Sequence, residues 1–531
     1  MDNKDTAKRL TGAAGIVMLG TLLSRITGFL RTLLISTNML PQGYSDEFLM
    51  AFTLPDLVYD LLAGGAIAAA LIPVLSAYLT KGKEKTGWKA VSTFMNVSVI
   101  FLIALEIIFF IFTDVLLEIM APGYSSGSSG DTELIIRLTR ILLLSAPFMM
   151  MAGQFNGILN AYQRFVVAAF GPVIYNVCTV LSIAAFGAKS AELTAWGVVL
   201  GAVVFFLIQL GATRKHFYNY QPRLYLKSPA FRQLLKLAIP SLISSSILEM
   251  NLLISKGYAT YYDEGMLTLL NNANRTWQLP LGVFAQSIGI ALLPTLSEHY
   301  AAGDFETFKA ILYKALRVVF LLSLPTSVIM TILSQDITRV MFKWGSLSER
   351  EVFFGGICLM GYSAALVFAS AITLLTRSFY SIQDSMTPLL CGILGILFNY
   401  VFNAVFRNLT NMGIAGTALA YSVSSFINMM LLVYAFKKKT DIDIIADNFG
   451  YIFKTIAAAF PGSVVTYVLS VIVRPDVESK VSQALALIVS IAAGLGVFWV
   501  IMVKLGMPEI EYVNHLVGSY FKKFKLKRRE I

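Results

Sequence analysis

Long apolar runs separated by short polar loops constrain this chain more than any other feature. About 18 apolar residues suffice to cross a bilayer core as a helix. About fourteen runs of that order follow one another, near 11–37, 47–79, 90–120, 133–161, 165–187, 191–213, 233–260, 271–300, 308–334, 352–380, 386–407, 412–436, 450–473 and 481–505. In lipid, only helices and closed barrels satisfy their own backbone groups, and runs this long suit helices. The expected fold is therefore an all-α polytopic membrane protein. Of 531 residues, 56% are hydrophobic and only 14% charged, and the mean hydropathy is +0.71, too apolar for a soluble surface. The start, MDNKDTAKRLTG, has no cleavage-type segment, so the first run reads as a retained helix.

The loops set the orientation. After even-numbered runs come KGKEKTGWK (81–89), RKHFYNYQPRLYLK (214–227), KKKTD (437–441) and the tail KKFKLKRRE (522–530). After odd-numbered runs come PQGYSDE (41–47), APGYSSGSSGDTE (121–133) and YYDEG (261–265), which contain no Lys or Arg. The loop at 335–351, with Arg339, Lys343 and Arg350, is a mild exception. The positive-inside rule then places both termini in the cytoplasm. The same clustering explains the net charge of +11 without nucleic acid, since cytoplasmic loops and anionic headgroups select it.

An internal repeat divides the chain. LPDLVYDLLAGGAIAAALIPVLSAYLTKGK (54–83) resembles LPLGVFAQSIGIALLPTLSEHYAAGD (279–304). Pro55 to Pro73 is 18 residues and Pro280 to Pro294 is 14, a difference of about one helical turn. Span 2 thus matches span 8. Two six-helix lobes follow, 1–213 and 233–436, related by a pseudo-two-fold axis along the membrane normal. They are joined by a basic linker at 214–232. After a loop at 437–449, helices 13 and 14 (450–505) and a basic tail (506–531) are left over.

Charges inside the runs mark the candidate chemistry. Arg25, in SRITGFLR (24–31), lies about twelve residues from the nearer end of span 1, or roughly 18 Å, beyond the reach of snorkelling. A buried arginine needs a hydrated cavity or an anionic partner. Arg31 is nearer the end and roughly 120° around the helix, with Gly28 between them as a candidate bend. Arg275 opens span 8 in NNANRTWQLP (271–280). Span 2 brings Asp46, Asp56 and Asp60, with Pro55 expected to break its helix, and Glu249 lies in span 7. An excess of Arg over carboxylate would attract an anion, and guanidinium forks suit phosphate oxygens. The alternative is that Arg25 or Arg31 pairs with Asp46 or Asp56 as a structural lock. Asn399 and Asn403 share a helix face, as cation ligands or, more commonly, as interhelical hydrogen-bonding groups. Glu106, Arg137 and Arg140 have no evident role from sequence.

Several chemistries are disfavoured. Cys178, Cys358 and Cys391 lie inside apolar runs without metal-ligand spacing, and His216, His299 and His515 avoid the span centres. Walker A and nucleophile-elbow patterns are missing from the sequence, which points away from ATP-driven transport and hydrolysis, and no cofactor is expected.

SRITGFLR (24–31), SDEFLMAFTLPDLVYDLLAGGAIAAALIPVLSAY (45–78), APGY (121–124), NGILNAYQRFVVAAFGPVIYN (156–176), LPLGVFAQSIGIALLPTLS (279–297) and FYSIQDSMTPL (379–389) together resemble the MurJ/MviN family. These are lipid II flippases of the multidrug/oligosaccharidyl-lipid/polysaccharide exporter superfamily. The resemblance implies transport of undecaprenyl-diphosphate-linked disaccharide-pentapeptide to the outer leaflet by alternating access, with helices 13 and 14 forming a groove for the lipid tail. It carries the cavity arginines onto Arg25, Arg31 and Arg275, the acidic position of span 2 onto Asp46, and the serine before the first arginine onto Ser24. Asp56 joins this candidate set from the residues alone. Where some relatives have a further span 2 arginine, this chain reads Tyr59-Asp60. Where some have carboxylates in spans 7 and 11, it has Ser255 and Asn403, which puts a sodium site there in question.

The expected partners are lipid II, membrane lipids and cell-wall synthesis enzymes. The expected drive is the membrane potential or a monovalent cation gradient. Two other transport functions stay open: a flippase for a different undecaprenyl-diphosphate-linked glycan, and a cation-coupled multidrug exporter. A membrane scaffold for wall-synthesis enzymes is the non-transport alternative.

Overall fold

In the computed structural model the described residues are 3–59, 67–125, 130–344, 347–473, 479–507 and 509. Among them the regular structure is entirely helical. Asp60, His515 and the basic run at 522–530 lie outside the described residues. Among the described residues eleven helical segments are long and apolar enough to cross a membrane, from Glu84–Ile111 to Lys480–Lys504. The remaining expected spans correspond to Asn3–Leu34 (span 1), an interrupted stretch (span 2) and Pro229–Ala259 (span 7). Many helix starts carry the side-chain caps that orphan N–H groups require. Asp131, Ser190, Asp304, Asp443 and Ser479 each accept from a backbone N–H three residues on, and Ser348 forms a capping box with Glu351.

Proline shapes the two repeated spans. Span 2 is helical over Ser45–Ala51 and Thr53–Tyr59, then forms a π turn at Ile67–Leu71 before Ile72–Thr80. The break falls at Phe52, three residues before Pro55. A proline cannot donate to the carbonyl four residues back and crowds it, so the discontinuity lies upstream of the ring. Span 8 runs Met266–Leu281, a π turn at Gly282–Gln286, then Ser287–Ala301. The first π turn contains the carbonyl of residue 69, which Pro73 leaves without a donor, and the second begins two residues after Pro280. By contrast, Gly28 does not interrupt Asn3–Leu34, which stays α-helical through Arg25 and through Arg31 in its last turn.

Three stretches differ from the expected plan, the first being 133–161, where Thr132–Leu143 and Ala146–Ala161 are separate helices. The run at 90–120 is not one helix, because Glu84–Ile111 ends at Phe112 and a separate Thr113–Met120 follows. The loop at 335–351 contains the short helix Ser334–Phe342.

The chain forms two compact packing units, residues 1–271 with 344–347, and 272–343 with 348–531. This partition differs from the lobes of the sequence repeat, because Pro229–Ala259 packs with the first unit, against Glu84–Ile111 and Ile67–Leu71. Within the first unit, Asn3–Leu34 packs on Phe165–Phe186, which packs in turn on Ala191–Thr213. Its core joins Leu71, Leu75, Trp88, Phe94, Phe155 and Phe231. The second unit is built on Glu349–Ser381, packed against Phe305–Ile332 and Ile414–Thr440, with Ile444–Ile472 and Lys480–Lys504 paired beside them. Large apolar side chains such as Leu181, Leu200, Phe460 and Ile472 are exposed, as lipid-facing positions of spanning helices should be.

A loop strap is organised in the first unit. The Gln221 and Tyr225 amides donate to Ser92 and Thr93 on Glu84–Ile111. The Tyr162 ring stacks on His216 at 3.8 Å. The Asn219 amide and the Tyr162 hydroxyl both donate to Glu84. Burial pushes the His216 imidazole pKa down, with Arg164 adding to the shift.

Candidate functional site

The first arginine group is seated by helix–helix packing. Gly20 lets Asn3–Leu34 approach Phe165–Phe186 closely, since a Cβ there would lie 2.7 Å from the Ala169 Cβ. One turn further along, the Asn176 amide lies 3.3 Å from the Ser24 carbonyl and 3.4 Å from its hydroxyl. That contact fixes the rotation of the helix immediately beside Arg25. The Arg25 side chain is exposed and Arg31 is half-buried. At mid-span depth an exposed guanidinium is stable only where water or an anion reaches it.

Arg31 has a different environment. Its guanidinium carbon lies 5.9 Å from the centroid of the Phe52 ring, near the outer limit of cation–π attraction. Tyr175 falls within electrostatic range of both Arg31 and Asp56. Arg31, Asp56, Phe52 and Tyr175 therefore form one neighbourhood drawn from three helices. The break at Phe52 presents its ring to the arginine.

Asp46 has another occupation. It is buried, and its carboxylate accepts from the Thr268 amide at 2.8 Å, the Thr268 hydroxyl at 2.5 Å and the Leu267 amide at 3.2 Å. The Thr268 hydroxyl also lies 2.8 Å from that of Ser45. The start of span 2 thus holds the first turn of Met266–Leu281, where unpaired N–H groups and the helix dipole favour an anion.

Arg275 belongs to the second unit. It is exposed on a helix whose neighbouring residues Asn272, Asn274, Thr276 and Trp277 are buried. Asn274 accepts from the Trp277 indole at 2.9 Å and from Gln278 at 3.0 Å. This stiffens the turn that carries the arginine.

The candidate cation residues are divided between the units. Ser255, in the first, returns its hydroxyl to the Asn251 carbonyl at 3.2 Å. In the second, the Asn403 amide donates to the Asn399 side chain at 2.8 Å and to its carbonyl at 2.9 Å. The two asparagines therefore bond to each other along one helix. Among the described residues no group of three or more His, Cys, Asp or Glu could hold a metal ion.

Comparison with known proteins now bears on this arrangement. The family model described as "Lipid II flippase MurJ" matches residues 35–480. The chain belongs to the MurJ family. It is 28% identical over 427 residues to the lipid II flippase MurJ of Burkholderia cenocepacia, covering 79% of this chain and 82% of that protein. It is 26% identical over 459 residues to the probable lipid II flippase MurJ of Buchnera aphidicola, covering 85% and 89%. A solved lipid II flippase MurJ in an inward closed conformation shares the fold, with a TM-score of 0.74 at 21% identity over 92% of this chain and 99% of that one. An inward-facing multidrug-resistance MATE transporter shares it more distantly, with a TM-score of 0.64 at 14% identity over 79% and 94%.

Several residues of this MurJ-family site had no role assigned from sequence. Asn176 and Tyr175 lie in the GPVIYN stretch that carries the family likeness, yet their spacing alone does not aim them at Ser24 and Arg31. Phe52 reads as an ordinary apolar position. Two of the three charges without evident roles find partners: Arg137 pairs with Glu192 at 3.4 Å, and Arg140 pairs with Asp114 at 3.2 Å and lies over Phe110, whereas the Glu106 Oε1 is buried without a hydrogen-bond partner. The partner residue Asp114 belongs to the short helix Thr113–Met120, hidden inside one apolar run.

Proposed function

We propose that this chain is a lipid II flippase, a transporter and not an enzyme. It carries the undecaprenyl-diphosphate-linked peptidoglycan precursor from the inner to the outer leaflet of the bacterial cytoplasmic membrane, with both termini in the cytoplasm and fourteen spans. Arg25, exposed near the middle of a membrane helix of a MurJ-family chain, is the observation that carries this reading. Membership in a family named for lipid II supplies an anionic ligand suited to such a charge.

In this reading Arg25, Arg31 and Arg275 hold the diphosphate, with Ser24 beside the first of them and Asp56 tempering the charge at Arg31. Arginine forks replace phosphate hydration at low cost because Asn176 and the Asn274 cluster preset their helices. The sugar-peptide head occupies the hydrated space, and the lipid tail stays in the bilayer along helices 13 and 14. Transport proceeds by alternating access. The Asp46 clamp latches the outer ends of spans 2 and 8 and must release when the outer side opens.

The membrane potential is the favoured drive. An anionic headgroup leaving a negative interior gains about 2.3 kcal/mol per charge at 100 mV. The mutual bonding of Asn399 and Asn403 gives less support to a monovalent cation bound there. Cell-wall synthesis enzymes are the expected protein partners.

The test is replacement of a bacterium's lipid II flippase by this chain, followed by measurement of lipid II in the outer leaflet. Restored outer-leaflet lipid II is expected. Failure of a well-expressed chain to restore it, with export of a different lipid-linked glycan instead, overturns the substrate assignment.

A further inference from the structure

The second unit contains a cleft of mixed polar and apolar lining. The short helix Ser334–Phe342 packs on Glu349–Ser381 and on Lys480–Lys504. Together with the end of Ile444–Ile472 it borders an open cleft. Asp336, Arg339, Ser470 and Gln483 contribute its polar lining, and Val340 and Leu487 part of its apolar lining.

The charges in this cleft are held apart. Asp336 and Arg339 are three residues apart on one helix, so they are neighbours about 5–6 Å apart on one face. They make no ion pair with each other, because the Arg339 terminal nitrogen binds Glu349 at 2.5 Å, and Lys343 also binds Glu349. The Arg339 Nε is buried without a hydrogen-bond partner. At the rim, the Lys480 ammonium donates to the Arg339 carbonyl and to Gln483, both at 3.3 Å. Burial pushes the Asp336 carboxyl pKa up, against the pull of Arg339. An added ammonium would favour the ionised form.

The surroundings are apolar. Val471, Ile472, Val481 and Leu485, at the ends of the two flanking helices, are all exposed. In a spanning protein such positions face acyl chains. A ligand matching the whole site has a phosphate and a hydrogen-bonding ammonium on a short linker, with hydrocarbon attached. We propose that this cleft binds the headgroup of a phosphatidylethanolamine-type phospholipid, its phosphate on Arg339 and Lys480 and its ammonium on Asp336. With the termini in the cytoplasm, the lipid belongs to the outer leaflet. The site is separate in its residues from the arginines assigned to lipid II.

The test uses the full-length chain in nanodiscs containing equal phosphatidylethanolamine, phosphatidylglycerol and phosphatidylcholine, with retained lipids counted by native mass spectrometry. Wild type is expected to retain phosphatidylethanolamine over each of the others by about tenfold, the effect of one charge-assisted hydrogen bond. D336N should erase that preference while phospholipid is still retained, and R339Q should reduce retention of all three. Equal phosphatidylethanolamine preference in wild type and D336N, or a preference for phosphatidylglycerol in wild type, overturns the proposal. If R339Q fails to fold after losing its Glu349 pair, D336N alone decides.

Discussion

Replacing Asp46 by alanine should free the first turn of Met266–Leu281. The carboxylate accepts three hydrogen bonds there, two from the amides of Leu267 and Thr268 and one from the Thr268 hydroxyl. Loss of a helix N-cap costs ~0.5–2 kcal/mol, and buried donors left unpaired cost ~1–3 kcal/mol. These overlap, so about 2–3 kcal/mol is expected for the clamp as a whole, a factor of roughly 30–150 in local opening. Asparagine retains a good capping oxygen but loses the charge, so D46N should cost about 1 kcal/mol. Hydrogen exchange read by mass spectrometry over residues 266–270 measures this directly. Exchange should accelerate strongly in D46A and a few-fold in D46N, with the distant amides of Ile444–Ile472 unchanged. Wild-type protection at 266–270 in folded D46A would refute the clamp.

Two further substitutions probe the arginine helix and the strap. Gly20→Leu places a side chain where even a Cβ meets Ala169 at 2.7 Å. It should destabilise by ~1–3 kcal/mol through overpacking and lower the melting temperature, whereas Gly82→Ala in a loop affects packing little, although its positive φ adds some strain. The strap should respond to acid. The folded His216 pKa lies below its unfolded value, so the strap's contribution is full above about pH 6.5 and falls as pH drops through the folded value. Exchange at the Gln221 and Tyr225 amides, corrected for intrinsic pH dependence, should rise between pH 7.5 and 5.5 in wild type and stay level in His216→Phe.

Much of the architecture was legible in the sequence because lipid leaves few alternatives. A long apolar run must become a helix. The irregularities were less legible. Pro55 announces a break, but steric conflict with the preceding turn moves it to Phe52. The π turn before Pro73 depends on how the freed carbonyl is accommodated by packing. Within the site, depth alone singled out Arg25. The occupation of Asp46 was hidden because its partners lie more than 220 residues away. An aspartate before an apolar run also reads as the cap of its own helix, not of another. Asn176 and Phe52 gave no signal because an amide and a phenyl ring are ordinary in such helices, and only the packed structure aims them at Ser24 and Arg31.

Binding of lipid II to the purified chain tests the diphosphate site most directly. Wild type, R25A, R31A and R275A would be titrated with lipid II and, as a control, with an uncharged polyprenol. Each substitution should weaken lipid II binding by about tenfold or more, as expected for loss of a charge-assisted contact, and leave binding of the uncharged lipid unchanged. Wild-type affinity for lipid II in all three folded variants would contradict the arginine site.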